Sequence, residues 1–134
     1  LVIVYSPYPY LDLEDYMSLA LDFLNIWKDG FDNKDSSQCG NFMNDDWQFD
    51  PSGTVASTRN KQETLDWISA GGNPTIIDNI EILYENDEVA VGTHSAIRGE
   101  EKANGIVLFC GRKRGDKFSH WRIVRAPLPE GVIR

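Results

Sequence analysis

Between Pro74 and Pro127 apolar residues alternate with polar ones through four long runs separated by polar turns. Residues 75–84, 89–98, 105–112 and 117–126 each show the period of two that marks a half-buried strand. Residues 85–88, 99–104 and 113–116 carry the turn chemistry between them. Consecutive strands with such short connections form an antiparallel meander. Runs of about ten residues exceed the usual five or six, so a strongly curved sheet is predicted, with a concave face that other elements must fill.

The first half of the chain changes period. Tyr16, Leu19, Ala20, Phe23, Leu24 and Trp27 recur at helical spacing, with Asp12 as predicted N-cap, Glu14 and Asp15 in the positively polarised first turn, and Gly30 as stop. A short second helix is predicted from Asp35, burying Cys39, Phe42 and Met43 before Asn44-Asp45-Asp46 interrupts it. Trp47-Gln48-Phe49 alternates as a short strand that ends at Asp50-Pro51-Ser52-Gly53, with residues 54–58 as its hairpin partner. Asn60-Lys61-Gln62-Glu63 has capping-box spacing and opens a third helix that points Leu65 and Ile68 inward and stops at Gly71-Gly72. Three helices grouped against one face of an antiparallel sheet make the fold class α+β. Residues 1–134 read as one domain, with residues 1–11, rich in aromatics and proline, as an extended N-terminal arm.

Composition narrows the partners. Of the net charge of −8, all sits in the first 50 residues, where ten acids face Lys28 and Lys34; the remainder balances eleven acids with eleven bases. An acidic chain with no basic stripe interleaved with aromatics is not expected to bind nucleic acid. No apolar run reaches the length of a membrane span, so no membrane partner is expected. Cys39 and Cys110 sit in apolar surroundings without metal or disulfide spacing, which predicts buried free thiols and a cytoplasmic location. With two histidines and no acid at ligand spacing to either, no metal site is expected.

Candidate chemistry is sparse. Asp50 has two readings: a base whose proton affinity is raised at the mouth of an apolar pocket, or a turn former before Pro-Ser-Gly that accepts backbone N–H bonds. His94 shares a strand face with Ala90, Gly92, Ala96 and Arg98, a face of small residues with room for a ligand or a close-packed helix; its imidazole is a proton shuttle or a structural, hydrogen-bonded group. Trp121 and Ile123 are predicted inward and His120 outward. On the first meander strand either Asp78 or Glu81 must share an apolar face, and the pattern alone does not choose. Arg114-Gly115-Asp116 matches an adhesion tripeptide, but lies where a hairpin turn is predicted.

The element order, the segment Asp45-Asp46-Trp47-Gln48-Phe49-Asp50-Pro51-Ser52-Gly53, the helix over residues 60–68 and the closing Trp121-Arg122-Ile123-Val124 together resemble the nuclear transport factor 2-like superfamily, which includes the SnoaL-like polyketide cyclases, ketosteroid isomerase, limonene epoxide hydrolase and scytalone dehydratase. The resemblance covers residues 12–127. It implies a cone-shaped sheet of four to six strands wrapped around the helices, an apolar pocket for a small hydrophobic ligand, and homodimerisation through the sheet. Any enzyme of this type would be a cofactor-independent isomerase, cyclase or lyase working by acid–base chemistry. Asp50 matches the proton-shuttling aspartate of ketosteroid isomerase. Trp27 falls at the oxyanion-hole phenol and Leu108 at its protonated carboxyl. Indole donates a hydrogen bond, but leucine donates nothing, and one lost donor costs about 10²–10³ in rate, which argues against steroid isomerase chemistry. The pocket is implied to open at Tyr16, Trp27 and Trp47, with Asp78, Leu108 and Trp121 on its wall. The rival expectation is a non-catalytic accessory module that uses the fold to dimerise, because one fold hosts many functions.

Overall fold

The computed structural model describes residues 18–51, 58–71, 75–98 and 103–127. Helix α1 (Leu19–Asn33) begins at Ser18, whose hydroxyl accepts the Leu21 N–H at 3.0 Å. The predicted cap Asp12 and the aromatic Tyr16 lie outside the described residues, as does the proposed arm over residues 1–11. Gly30 does not end the helix. A Cβ there would meet Ile68 Cγ2 at 2.9 Å and Cys39 Sγ at 3.2 Å, so this glycine lets the chain behind α1 pack closely, and α1 runs on to a left-handed Lys34 whose N–H bonds the Gly30 carbonyl.

The second predicted helix is a single 3-10 turn, Cys39–Phe42, that passes directly into strand β1 (Met43–Pro51). Gly40, Asn41 and Asn44 are poor helix formers, and so short a segment cannot repay helix nucleation. Among the described residues there are therefore two α-helices rather than three. Asp45 and Asp46, read as an interruption, are exposed strand residues that face Lys61 at 3.5 Å and Arg114 at 2.7 Å. Strand β2 is only Arg59–Asn60, pairing with Phe49 and Gln48. Helix α2 (Lys61–Ala70) carries the full capping box: Asn60 Oδ1 accepts the Glu63 N–H, Glu63 Oε1 accepts the Asn60 N–H, and left-handed Gly71 closes the other end.

Strands β3 (Thr75–Glu85), β4 (Val89–Arg98), β5 (Ala103–Arg114) and β6 (Lys117–Pro127) form the predicted meander. The sheet order is β2-β1-β6-β5-β4-β3, curved and unclosed, and the α+β architecture stands. One pairing departs from expectation. β1 runs parallel to β6, so the sheet is mixed rather than wholly antiparallel, because the chain crosses from β1 through α2 before the meander begins.

The concave face holds the core. Phe23, Leu24, Trp27 and Phe31 from α1 meet Trp47 and Phe49 from β1, Phe109 from β5, and Phe118 and Trp121 from β6. Phe118 and Trp121 both turn inward because a register shift in the β5–β6 pairing breaks the alternation between them. Phe109 and Trp121 stack with centroids 4.9 Å apart, and Trp121 meets Phe23 edge-on at 5.2 Å. Such pairs add about 0.5–1.5 kcal/mol each beyond the area they bury. The glycines of this face serve the rings: a Cβ on Gly111 would strike Trp121 at 2.7 Å, and one on Gly92 would strike Phe109 at 2.6 Å. The room that small residues leave on this face is thus largely taken by large side chains from the adjoining strand.

Glu85 is a buried acid at the start of α1. Its carboxylate receives Lys113 Nζ at 2.6 Å, the Ser18 hydroxyl at 2.6 Å and the Ala20 N–H at 3.2 Å. A negative group bonded to the first turn also answers the helix dipole. Among the described residues no helix is long and apolar enough to cross a membrane.

Candidate functional site

His94 sits on β4 with its side chain on the concave face, alongside buried Ala90, Gly92 and Ala96. The residue is 6% exposed and its imidazole stacks on the Phe109 ring at 6.0 Å, inclined by 27°. His94 Nδ1 is 3.0 Å from the Ser95 carbonyl oxygen. A carbonyl can only accept, so Nδ1 carries the proton and Nε2 keeps the lone pair. Burial pushes the imidazole below its ordinary value, against a smaller opposing effect of the Ser95 bond, and so favours the neutral ring.

The residues around His94 follow from the register. Val107 is directly opposite on β5, and Arg125 is opposite Val107 on β6. Arg125 shares the inward parity of Trp121 and Ile123, and its guanidinium lies on Gly105, where a Cβ would stand 2.7 Å from Cζ and from Nη2. Gly105 pairs with Ala96, two residues beyond His94 on the same face. His94 thus has Phe109 over Gly92 on one side and the Arg125 guanidinium over Gly105 on the other. The alternation of β6 already placed Arg125 with the inward set, and that was the available signal for it.

Asp50 is elsewhere. Phe49 points into the core, so its neighbour Asp50 points out, and the two catalytic candidates Asp50 and His94 lie on opposite faces of the sheet. The Asp50 carboxylate is bonded to His120 Nε2 and to Gln48 Nε2, the latter at 2.8 Å, while Arg122 Nε lies 3.8 Å away. Partial burial is the largest single influence and raises its proton affinity, but hydrogen bonds from Gln48, His120 and Thr58 and the His120 charge outweigh it and hold Asp50 below the usual carboxylate range. This is the reverse of the expectation for a pocket-mouth base. The clamp ties β1 to β6 across the parallel pair, and His120, predicted outward, supplies half of it.

The implied pocket wall also changes. Trp27, Trp47 and Trp121 are almost wholly enclosed and pack against one another as core rather than around an opening. Trp47 Nε1 donates to Thr64 Oγ1 at 3.0 Å, whereas the buried Trp27 Nε1 has no acceptor among the described residues. Leu108 is 45% exposed on the convex face, because Val107 and Phe109 take the inward positions. Neither Asp78 nor Glu81 enters the core: two irregularities in the β3–β4 pairing reset the parity so that Ile77, Ile82 and Glu85 are the buried residues of β3. Asp78 is instead a surface partner of Lys28 at 3.9 Å. Cys39 is buried as expected, but Cys110 is exposed on the convex face. The segment Arg114-Gly115-Asp116 forms the β5–β6 turn, with Gly115 at φ 67°.

Separately, a cleft of about 210 Å³ opens beside α1, lined by Ile26, Asp29, Gly30, Asn33, Asp35 and Gln38. Among the described residues no three His, Cys, Asp or Glu side chains gather as metal ligands.

No protein family's sequence profile matches the chain, and no curated protein sequence does either. Solved structures do. A nuclear transport factor 2-like protein from Cytophaga hutchinsonii is 7% identical with a TM-score of 0.61, covering 81% of this chain and 87% of its own. A candidate polyketide cyclase from Sinorhizobium meliloti is 12% identical with a TM-score of 0.61, over 80% of this chain and 99% of its own. TerC, co-crystallised with polyporic acid, is 12% identical with a TM-score of 0.60, over 81% of this chain and 92% of its own. At such identities the likeness is one of architecture: with its mixed six-stranded sheet curved around α1, the chain has the nuclear transport factor 2-like fold.

Proposed function

We propose that the concave interior beside His94 binds a small apolar compound and that His94 acts on it as a general base. The observation that carries this reading is the fixed tautomer of a buried, neutral imidazole, with Nδ1–H committed to the Ser95 carbonyl and the Nε2 lone pair left as a proton acceptor. A base of this kind suits proton transfers that need no cofactor: isomerisation, cyclisation, dehydration or hydrolysis. The structural likeness to TerC with polyporic acid and to a candidate polyketide cyclase supports a compound of that general kind. Asp50 has no part in the chemistry, since it is on the other face and its carboxylate is a weakened base.

The test is a titration with apolar aromatic compounds followed by the imidazole resonances of His94. Binding that shifts them in the wild type, with retained binding but lost turnover in His94→Gln, supports the reading. If no compound perturbs His94 while the protein is folded, the reading falls.

A second reading, homodimerisation through the sheet, rests on the exposed apolar side chains of β3, β5 and β6: Ile76, Leu83, Tyr84, Leu108 and Val124. An exposed patch of this kind marks an association surface. Sedimentation velocity of the wild type and of Leu108→Lys checks it: a dimer that the lysine converts to monomer is the expected result.

A further inference from the structure

Independently of the interior site, we infer that the edge of β3 at Leu83 and Tyr84 is a docking surface for residues 1–5 of this same chain, which add there as a further strand. β3 is last in the sheet order and pairs only with β4 among the described strands. A sheet edge invites another strand unless polar groups or irregular backbone blunt it. The middle of β3 is blunted in that way: Asp78, Asn79 and Glu81 are exposed, and Asn79 is left-handed at φ 52°. Past Glu81 the character changes. Leu83 and Tyr84 are consecutive, and they are 49% and 55% exposed.

The occupant follows from where the chain enters the fold. Ser18 is the first described residue, and its hydroxyl donates to Glu85 Oε1 at 2.6 Å while the Ala20 N–H donates to Glu85 Oε2 at 3.2 Å. Glu85 directly follows Tyr84. The chain before Ser18 therefore departs from beside the exposed pair. Residues 6–17 can span up to about 40 Å when extended, and β3 is about 36 Å from end to end, so the connection is long enough to return residues 1–5 to this edge.

The chemistry of the segment matches the edge. Leu1-Val2-Ile3-Val4-Tyr5 has no charged side chain and is rich in β-branched and aromatic residues, which are strong strand formers. Pro7 and Pro9 cannot donate to a ladder, so pairing is confined to the residues before them. Asp12, Glu14 and Asp15 make residues 11–17 a poor cover for Leu83 and Tyr84. A second copy of the chain would compete for the same edge, but a tethered segment is present at an effective concentration on the order of millimolar, which favours the chain's own residues. Leu108 and Val124, exposed on β5 and β6, are left for the convex-face association described above.

Hydrogen exchange of the whole chain, read by mass spectrometry of its peptides, tests this. In wild type the amides of residues 1–5 and of residues 82–85 should exchange at least about tenfold more slowly than the free-chain rate. Ile3→Pro, which removes a donor from the added strand, should accelerate exchange in both segments and leave β5 protected. Leu83→Asp, which charges the surface instead of the segment, should release residues 1–5 as well. The protection of residues 1–5 should be the same after a tenfold dilution of the protein. Free-chain exchange of residues 1–5 in wild type overturns the inference. So does protection of residues 1–5 that survives Leu83→Asp, or an Ile3→Pro protein in which residues 1–5 are released and the end of β3 is unchanged, since the segment would then lie elsewhere. Protection that fades on dilution also overturns it, because the occupant would then be a second copy. Should Leu83→Asp fail to fold, Ile3→Pro decides.

Discussion

The Glu85 carboxylate meets the Lys113 ammonium at 2.6 Å with both side chains withdrawn from solvent, 0% and 4% exposed. The pair joins the end of β3 to β5, and through Ser18 and Ala20 it fixes the start of α1. Lys113 Nζ also donates to the Asn86 carbonyl at 2.8 Å, so the β3–β4 turn hangs on the same cation. Buried ion pairs contribute little net stability compared with apolar replacements, but removing one partner strands the other charge. Lys113→Met is therefore expected to destabilise by about 3–5 kcal/mol, and Glu85→Gln by less, since an amide can still accept from Ser18 and Ala20. The double variant should recover part of the sum. Urea unfolding of the four proteins measures the coupling, and strict additivity would show that the two groups do not act as a pair.

Asp50 is expected to matter for stability and not for binding. Its side chain is 28% exposed and bonded to His120 and Gln48, so Asp50→Asn should cost about 1–2 kcal/mol, the range for a partly screened hydrogen bond to a charged group. The sign of the acid response follows from its lowered proton affinity. Above the ordinary value of 3.8 the carboxylate is ionised in both states and its stabilisation is complete; as pH falls below 3.8 the unfolded chain takes the proton first, and the contribution is gone once the folded group also protonates. Asp50→Asn should flatten that part of the acid unfolding curve. A large loss of ligand affinity with unchanged stability would instead return Asp50 to the site.

Much of this architecture was legible because periodicity and capping chemistry are local. The stripe from Leu19 to Trp27, the Asn60–Glu63 box and the four meander strands all depend on residues a few positions apart. What the pattern could not carry was register. Two irregularities in the β3–β4 pairing decide that neither Asp78 nor Glu81 is buried, and no alternation rule reveals an irregularity in advance. The same applies to Leu108, placed on the inner wall by counting along a resemblance; a one-residue difference turns a strand residue to the other face. The Asp50–His120 bond needed the parallel β1–β6 pairing, which joins residues 70 apart and has no signature in either segment. Glu85 looked like turn chemistry beside Asn86, Asp87 and Glu88, and only the approach of Lys113 makes it a buried strand residue.

The two thiols should separate cleanly under a reagent. Cys39 is enclosed beneath α1, its Sγ donates weakly to the Ile26 carbonyl at 3.7 Å, and burial with the nearby Asp35 charge pushes it up to about 11. A thiol in that state carries almost no thiolate at neutral pH, and thiolate is the reacting species. Cys110 lies exposed on the convex face, opposite Arg122. One equivalent of a disulfide reagent is expected to react promptly with native protein, and Cys110→Ser should abolish that phase. A second equivalent should appear only on unfolding. Prompt modification of Cys39 in the native protein would mean that the packing between α1 and the 3-10 turn opens readily.

His94 gives the pH dependence a second, higher window. Burial holds its folded proton affinity below the ordinary 6.5. Above pH 6.5 the ring is neutral in both states and the folded protein loses nothing. As pH falls through 6.5 the unfolded chain binds a proton that the folded chain refuses, so stability declines with falling pH until the folded value is reached. Of the described charged side chains, Arg125 shares its cross-strand row on the concave face, while Asp78, Glu81 and Asp50 are on the surface. The decline should be isolated by subtracting the stability profile of His94→Gln from that of wild type between pH 7 and pH 5. A difference that falls as pH falls confirms a buried neutral imidazole, with His94→Gln the flatter of the two. A difference that rises as pH falls would mean the folded protein stabilises the imidazolium, and a ring charged at neutral pH could not serve as the interior base.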